Sequence, residues 1–227
     1  MADIRDAVQS NEKLTVDDAS SAARRVYHWY DLLCPFCYVG QQRDTIFEKH
    51  GFDVVSLPFL AHPDIPAGGR AVGERSGPMY ERIEEEDRAA GLPLTWPDRL
   101  PNTRMALAAA EWTRRHAPRS FPALEKALFG AHFALGEDLG DRRVVEKHAA
   151  EAGVDIAAMR AALDNGAGFA LVDEAEALGR KLGVRGTPAW WVAGRLIPGL
   201  FPREYFEQVA QAVSAGGPGA HPATMGR

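Results

Sequence analysis

The chain has 227 residues, 46% hydrophobic and 25% charged, with a formal net charge of -5. This is an ordinary globular composition, long enough for one large domain or one domain with a sizeable insertion. The acidic balance and the lack of any basic run argue against a nucleic-acid surface, and no apolar stretch approaches a membrane span. The start, Met1 to Val8, lacks the apolar core of a secretory signal. A reducing, cytoplasmic setting is therefore expected, where a close cysteine pair points to catalysis or metal rather than to a structural disulfide.

Residues 1–24 are polar and weakly patterned, and read as a loose arm. A strand is predicted over Arg25–Tyr30, followed by Cys34-Pro35-Phe36-Cys37 and a helix over 38–50. A second strand over 52–60 completes a βαβ unit, whose strands should be parallel and its crossover right-handed. A Pro/Gly-rich loop spans 62–69. From Pro78 onward apolar residues recur every three or four positions, predicting helices over 78–90, 103–116, 121–135, 141–152, 156–165 and 169–182. Gly153, Gly166 and Gly183 stand where helices should stop. Strands are predicted again over 188–192 and 196–198, joined by a turn at Ala193-Gly194-Arg195, then a last helix over 202–214 and a linker-like tail. The expected division is an arm over 1–24, a first sheet half over 25–77, helices over 78–168, a second half over 169–214 and a tail over 215–227. Glu84-Glu85-Glu86-Asp87 and Arg114-Arg115 read as solvated helix faces. Trp190 and Trp191 should face opposite sides of their strand, one in the core and one flooring a groove.

The chemistry concentrates on the two cysteines, the only ones in the chain and three positions apart. A thiolate is the reactive form of cysteine, and the free N–H groups of a helix's first turn favour negative charge. Cys34 would sit at the helix start, with Cys37 one turn further in as its shielded partner. That is the layout of a dithiol–disulfide exchanger. A structural zinc site would need four ligands, and neither a second cysteine pair nor closely spaced histidines follow, so no metal is expected. Two inert core cysteines are the other reading.

Thr187-Pro188 opens the third strand, where a proline must stand at a strand entrance, an edge or a bulge. Base rates favour an ordinary trans bond; a cis bond would instead be a deliberate tight turn. His28, six residues before Cys34, is either a proton acceptor for the resolving thiol or a satisfied strand histidine. Asp31 can fix the turn into the helix. Asn102 and Thr103 can cap the helix that follows them, and Asn102 is also a candidate for substrate contact.

Three segments carry a resemblance: Asp31 to Gly40 around the cysteines, Pro101 to Ala106, and Gly183 to Pro188. Together they resemble the thioredoxin superfamily, in its DsbA-like branch with an all-helical insertion. The nearest likeness is to FrnE-type proteins, related to 2-hydroxychromene-2-carboxylate isomerases and kappa-class glutathione transferases. The resemblance spans about 25–214 and implies an α/β thioredoxin fold, a mixed βαβ…ββα sheet interrupted by helices. It also implies a cis Thr187-Pro188 facing the active-site pair, Cys34 as the attacking cysteine and Cys37 as the resolving one. Substrate would meet Pro35, Phe36, Asn102 and Trp190. The implied activity is thiol–disulfide exchange with a disulfide- or dithiol-bearing protein or small molecule. No cofactor is implied beyond the redox-active disulfide, with glutathione as a possible co-substrate, and a homodimer is compatible with it. The isomerases and kappa transferases typically have serine at the Cys34 position. A glutathione-dependent isomerase or transferase acting on small hydrophobic molecules is therefore the second reading, and a non-catalytic client-binding module the third. Phe36 stands where DsbA-type oxidants have histidine, which suggests a less depressed thiol than theirs.

Overall fold

The structure is a computed structural model that describes residues 24–215, so almost all of the predicted arm and tail lies outside the described residues. Four strands form the main sheet: β1 (Arg25–Tyr30), β2 (Asp53–Pro58), β5 (Ala189–Val192) and β6 (Arg195–Pro198), in the order β2-β1-β5-β6. β1 and β2 run parallel, with Tyr30 opposite Pro58. β5 pairs antiparallel with β1, placing Trp190 opposite His28, and β6 returns antiparallel to β5. The β5–β6 turn has positive φ at both central residues, Ala193 (46°) and Gly194 (83°), as a tight hairpin whose twist matches its strands requires. A two-stranded ribbon, β3 (Arg70–Ala71) with β4 (Arg99–Leu100), was not foreseen, because two-residue strands leave no periodicity.

Among the described residues, eight helices surround the sheet: α1 (Pro35–Lys49), α2 (Pro78–Ala90), α3 (Arg104–His116), α4 (Phe121–Phe133), α5 (Arg142–Glu151), α6 (Ile156–Asp164), α7 (Ala167–Lys181) and α8 (Arg203–Ser214). α1 begins at Pro35, three residues before the predicted start, since proline needs no N–H partner in the first turn. α5 and α6 start at Asp141 and Asp155, whose carboxylates accept N–H bonds from Arg143 and Ala158.

Alternation along β1 divides the core. Val26 packs with Val39, Ile46, Phe47, Trp190 and Phe206 under α1 and α8. Tyr27 and Trp29 face the other way, onto Ala175 and Leu178 of α7. Trp29 is fully buried and its indole N–H donates to the Ala175 carbonyl at 3.0 Å. Tyr30 and Leu32 join a third cluster with α3, α4, α6 and Cys37, so the helical block packs against the cysteine end of the sheet. α1 approaches the sheet closely at Gly40, where a Cβ would lie 3.3 Å from the Trp190 ring.

Two predicted solvated faces hold only in part, with Glu84 and Glu85 exposed as expected. Asp87 is 2% exposed on the buried stripe it shares with Ile83. Arg114 and Arg115 both fold back onto Glu111, which is wholly buried one turn earlier.

Candidate active site

Cys34 is the N-cap of α1 and half-buried; Cys37 is buried one turn in. The turn into the helix is fixed by Asp31. Its carbonyl accepts the Cys34 N–H at 3.0 Å, and its carboxylate accepts N–H bonds from Leu33 and Ala61 and the Thr103 hydroxyl at 2.7 Å. Burial still raises the Asp31 pKa against those hydrogen bonds. Asn102 rather than Thr103 caps α3, accepting the Arg104 N–H while its amide donates to the Ile65 carbonyl at 2.7 Å.

The Thr187–Pro188 bond is cis, and the Cys34 thiol donates to the Thr187 carbonyl at 3.4 Å. The two cysteines are not joined by a disulfide. Their environments separate them. A hydrogen bond from the Cys37 side chain holds the Cys34 pKa below that of an ordinary thiol, opposed by burial and aided by Thr187, whose hydroxyl is buried without a protein partner. Burial pushes the Cys37 thiol well up, and the neighbouring Cys34 adds to it. At neutral pH the half-buried thiol carries the larger thiolate share and the buried one keeps its proton.

Beside the Thr187–Pro188 turn that accepts the Cys34 thiol opens a cleft of about 590 Å³, walled by Phe36, Thr187, Pro188, Leu200, Phe201 and Arg82 among others. Phe36 lines it as the sequence suggested, and Pro35 is half-buried at the first position of α1. Trp190 does not reach it. The ring is 0% exposed, stacked on His28 at 4.3 Å and edge-on to Phe206, so substrate contact is excluded. Trp191 is the half-buried member of the pair, packed on the α7 side of the sheet.

His28 is buried, and its Nδ1 donates to Asp44 at 2.8 Å, while the Trp190 indole donates to the other Asp44 oxygen at 2.7 Å. Its Nε2 is buried without a partner, and no hydrogen bond joins it to either cysteine. The Asp44 link escaped sequence reading because nothing local marks one acid of α1 as inward-facing. A second missed group is Arg82, which reaches from α2 over the Phe36 ring, 5.5 Å from its centre.

A family model for the DSBA-like thioredoxin domain matches residues 25–213, nearly all the described chain. The chain belongs to the DsbA-like thioredoxin family. Solved DsbA-like folds agree. A probable DsbA oxidoreductase of Streptomyces coelicolor aligns at TM-score 0.70 and 22% identity over 84% of this chain and 90% of its own. A 2-hydroxychromene-2-carboxylate isomerase aligns at 0.63 and 18% over 84% and 95%. The cytosolic disulfide reductase DsbM of Pseudomonas aeruginosa, solved with glutathione, aligns at 0.60 and 22% over 84% and 96%. No curated protein matches the chain in sequence. The DsbA-like family is one of thiol oxidoreductases, and in this chain the matched residues build a four-stranded mixed sheet with inserted helices.

Proposed function

We propose that the chain is a thiol–disulfide oxidoreductase working through Cys34 and Cys37. The observation that carries this reading is the placement of the two thiols. Cys34 is half-buried at the α1 cap, its thiol 3.4 Å from the Thr187 carbonyl at the cis bond, and Cys37 is buried one turn in. That arrangement lowers the first thiol's pKa and raises the second's. The Cys34 thiolate attacks one sulfur of a substrate disulfide, forming a mixed disulfide and expelling the other sulfur as a thiolate. Cys37 then loses its proton and attacks the Cys34 sulfur, closing the Cys34–Cys37 disulfide and releasing the second substrate thiolate. Two electrons pass to the substrate, and the departing thiolates are protonated. The Cys37 proton goes to a leaving thiolate. Run in reverse, the same steps oxidise a dithiol.

A reducing cytoplasm suits this chemistry, and the similar DsbM is a cytosolic disulfide reductase. Among the described residues no helix is long and apolar enough to cross a membrane. The size of the cleft favours a second reading, in which a tripeptide thiol such as glutathione is held there as co-substrate for an isomerase or transferase. One experiment separates the two: reduced protein is mixed with a disulfide substrate, and its thiols are followed with time. Exchange lost in Cys34→Ser, with a mixed disulfide accumulating in Cys37→Ser, supports the oxidoreductase. Saturable glutathione binding with turnover surviving in Cys34→Ser would replace it with the second reading.

A further inference from the structure

The cleft beside the Thr187–Pro188 turn is mostly apolar, and two charged side chains line it, Arg82 and Glu86. They are not equivalent. Glu86 is already held by Arg43 at 2.7 Å, a pair whose arginine is nearly buried. Arg82 has no carboxylate at ion-pair distance among the described residues. It is positioned by uncharged groups: one nitrogen donates to the Leu200 carbonyl at 2.6 Å, and the guanidinium lies over Phe36, between the two cysteines in sequence. A guanidinium has five N–H donors in a fixed fork that matches a carboxylate. Arg82 is exposed, so most of its donors and its whole charge face the solvent of the cleft, where a bound anion could meet them.

We infer that Arg82 is a specificity-determining residue, which selects disulfides carrying a carboxylate close to the reacting sulfur. The inference rests on the oxidoreductase reading of the site. The same chemistry has two sources, the glycine carboxylate of glutathione and an Asp or Glu side chain beside a protein cysteine. The influences on the Cys34 thiol are Cys37, burial, Thr187 and Asp31. Arg82 is not among these largest influences, so the Cys34 titration is read beside the rates to separate an effect on the incoming disulfide from one on the nucleophile. The opposing field is on the same helix, where Glu81 and Glu85 are exposed. The sign of the preference is therefore a real test.

The test uses the reduced full chain at low salt with three small disulfides of similar length: dithiodipropionate (anionic), hydroxyethyl disulfide (neutral) and cystamine (cationic). Single-turnover rates are normalised to those of a neutral small thiol. One attraction and one repulsion of surface-pair strength give an anion-to-cation ratio of about tenfold. Arg82→Lys should keep that order, Arg82→Gln collapse it and Arg82→Glu reverse it, with the Cys34 titration unmoved in all three. Equal normalised rates, a cation preference, or an order that survives Arg82→Glu would overturn the inference. If Cys34→Ser still abolished exchange, the oxidoreductase reading would stand. Failure of wild type with every disulfide would overturn both. The sources are then separated with glutathione disulfide against its glycine ester, and with disulfide peptides bearing Asp or Asn beside the cysteine. An Arg82-dependent preference in either pair supports the inference, and none in both overturns it.

Discussion

Asp87 should make the fold weaken as pH rises, and Asp87→Asn should remove that dependence. The carboxyl is 2% exposed on the inner face of α2, and neither oxygen has a hydrogen-bond partner. Burial first, then Glu86 and Glu84, push its pKa up to about 7. Tyr38 of α1 lies near enough for Asp87 to help raise the phenol's own pKa, so the charge would form at the α1–α2 contact. In the unfolded chain an aspartate titrates near about 3.9. The folded state thus holds its proton longer, and this group's stabilisation is full below about pH 4, declines to about pH 7 and is level beyond. Linkage between those two values removes about 2.5 kcal/mol between about pH 5 and pH 8. The assay is urea unfolding of wild type and Asp87→Asn across that range, reading the difference so that groups common to both cancel. The variant should gain about 2.5 kcal/mol on wild type as pH rises, or about 5–10 °C in thermal midpoint. Parallel pH curves would refute a buried, unpaired carboxyl at this contact.

Other substitutions test other parts of the structure. Cys37→Ala removes the largest influence lowering the Cys34 thiol, so the ultraviolet thiolate titration of Cys34 should move to higher pH. Gly179→Ala would place a Cβ 2.8 Å from the Trp29 indole nitrogen and 3.1 Å from its neighbouring carbon. Despite alanine's better helix propensity, the overpacking should cost about 1–3 kcal/mol by denaturant unfolding. Glu111→Gln leaves Arg114 and Arg115 facing an uncharged buried amide, and should cost about 3 kcal/mol in the same assay. Ala193→Asn suits the positive φ that the β5–β6 turn imposes, and should raise stability by about 0.5–1 kcal/mol.

Much of the architecture follows from local rules. The strand over Arg25–Tyr30 and the helix over Pro78–Ala90 fall where an apolar run and three-to-four spacing put them. The other helix ends lie within a few residues of the predicted ones, and Gly153, Gly166 and Gly183 do take positive φ at stops or starts. The cysteine pair was readable because redox chemistry needs two sulfurs one helical turn apart, and only one such pair exists. Asp87 was readable too, being four residues after Ile83 on one stripe, but the run of acids around it suggested a wet face. Its position shows that helical phase outranks composition in deciding burial.

The sequence by itself determined the order of the longer strands and helices and the close cysteine pair at a helix start, because backbone periodicity and turn chemistry act over a few residues. A cis Pro188 came only from the family resemblance, since base rates favour a trans bond. The tertiary structure alone decided that His28 meets Asp44 across 16 residues and that Trp190 reaches the same carboxylate across 146. It also turned Trp190 inward and brought Arg82 over Phe36. Those pairings depend on sheet order and on how α1 and α2 pack, and a charge or ring carries no local sign of the partner that packing will give it.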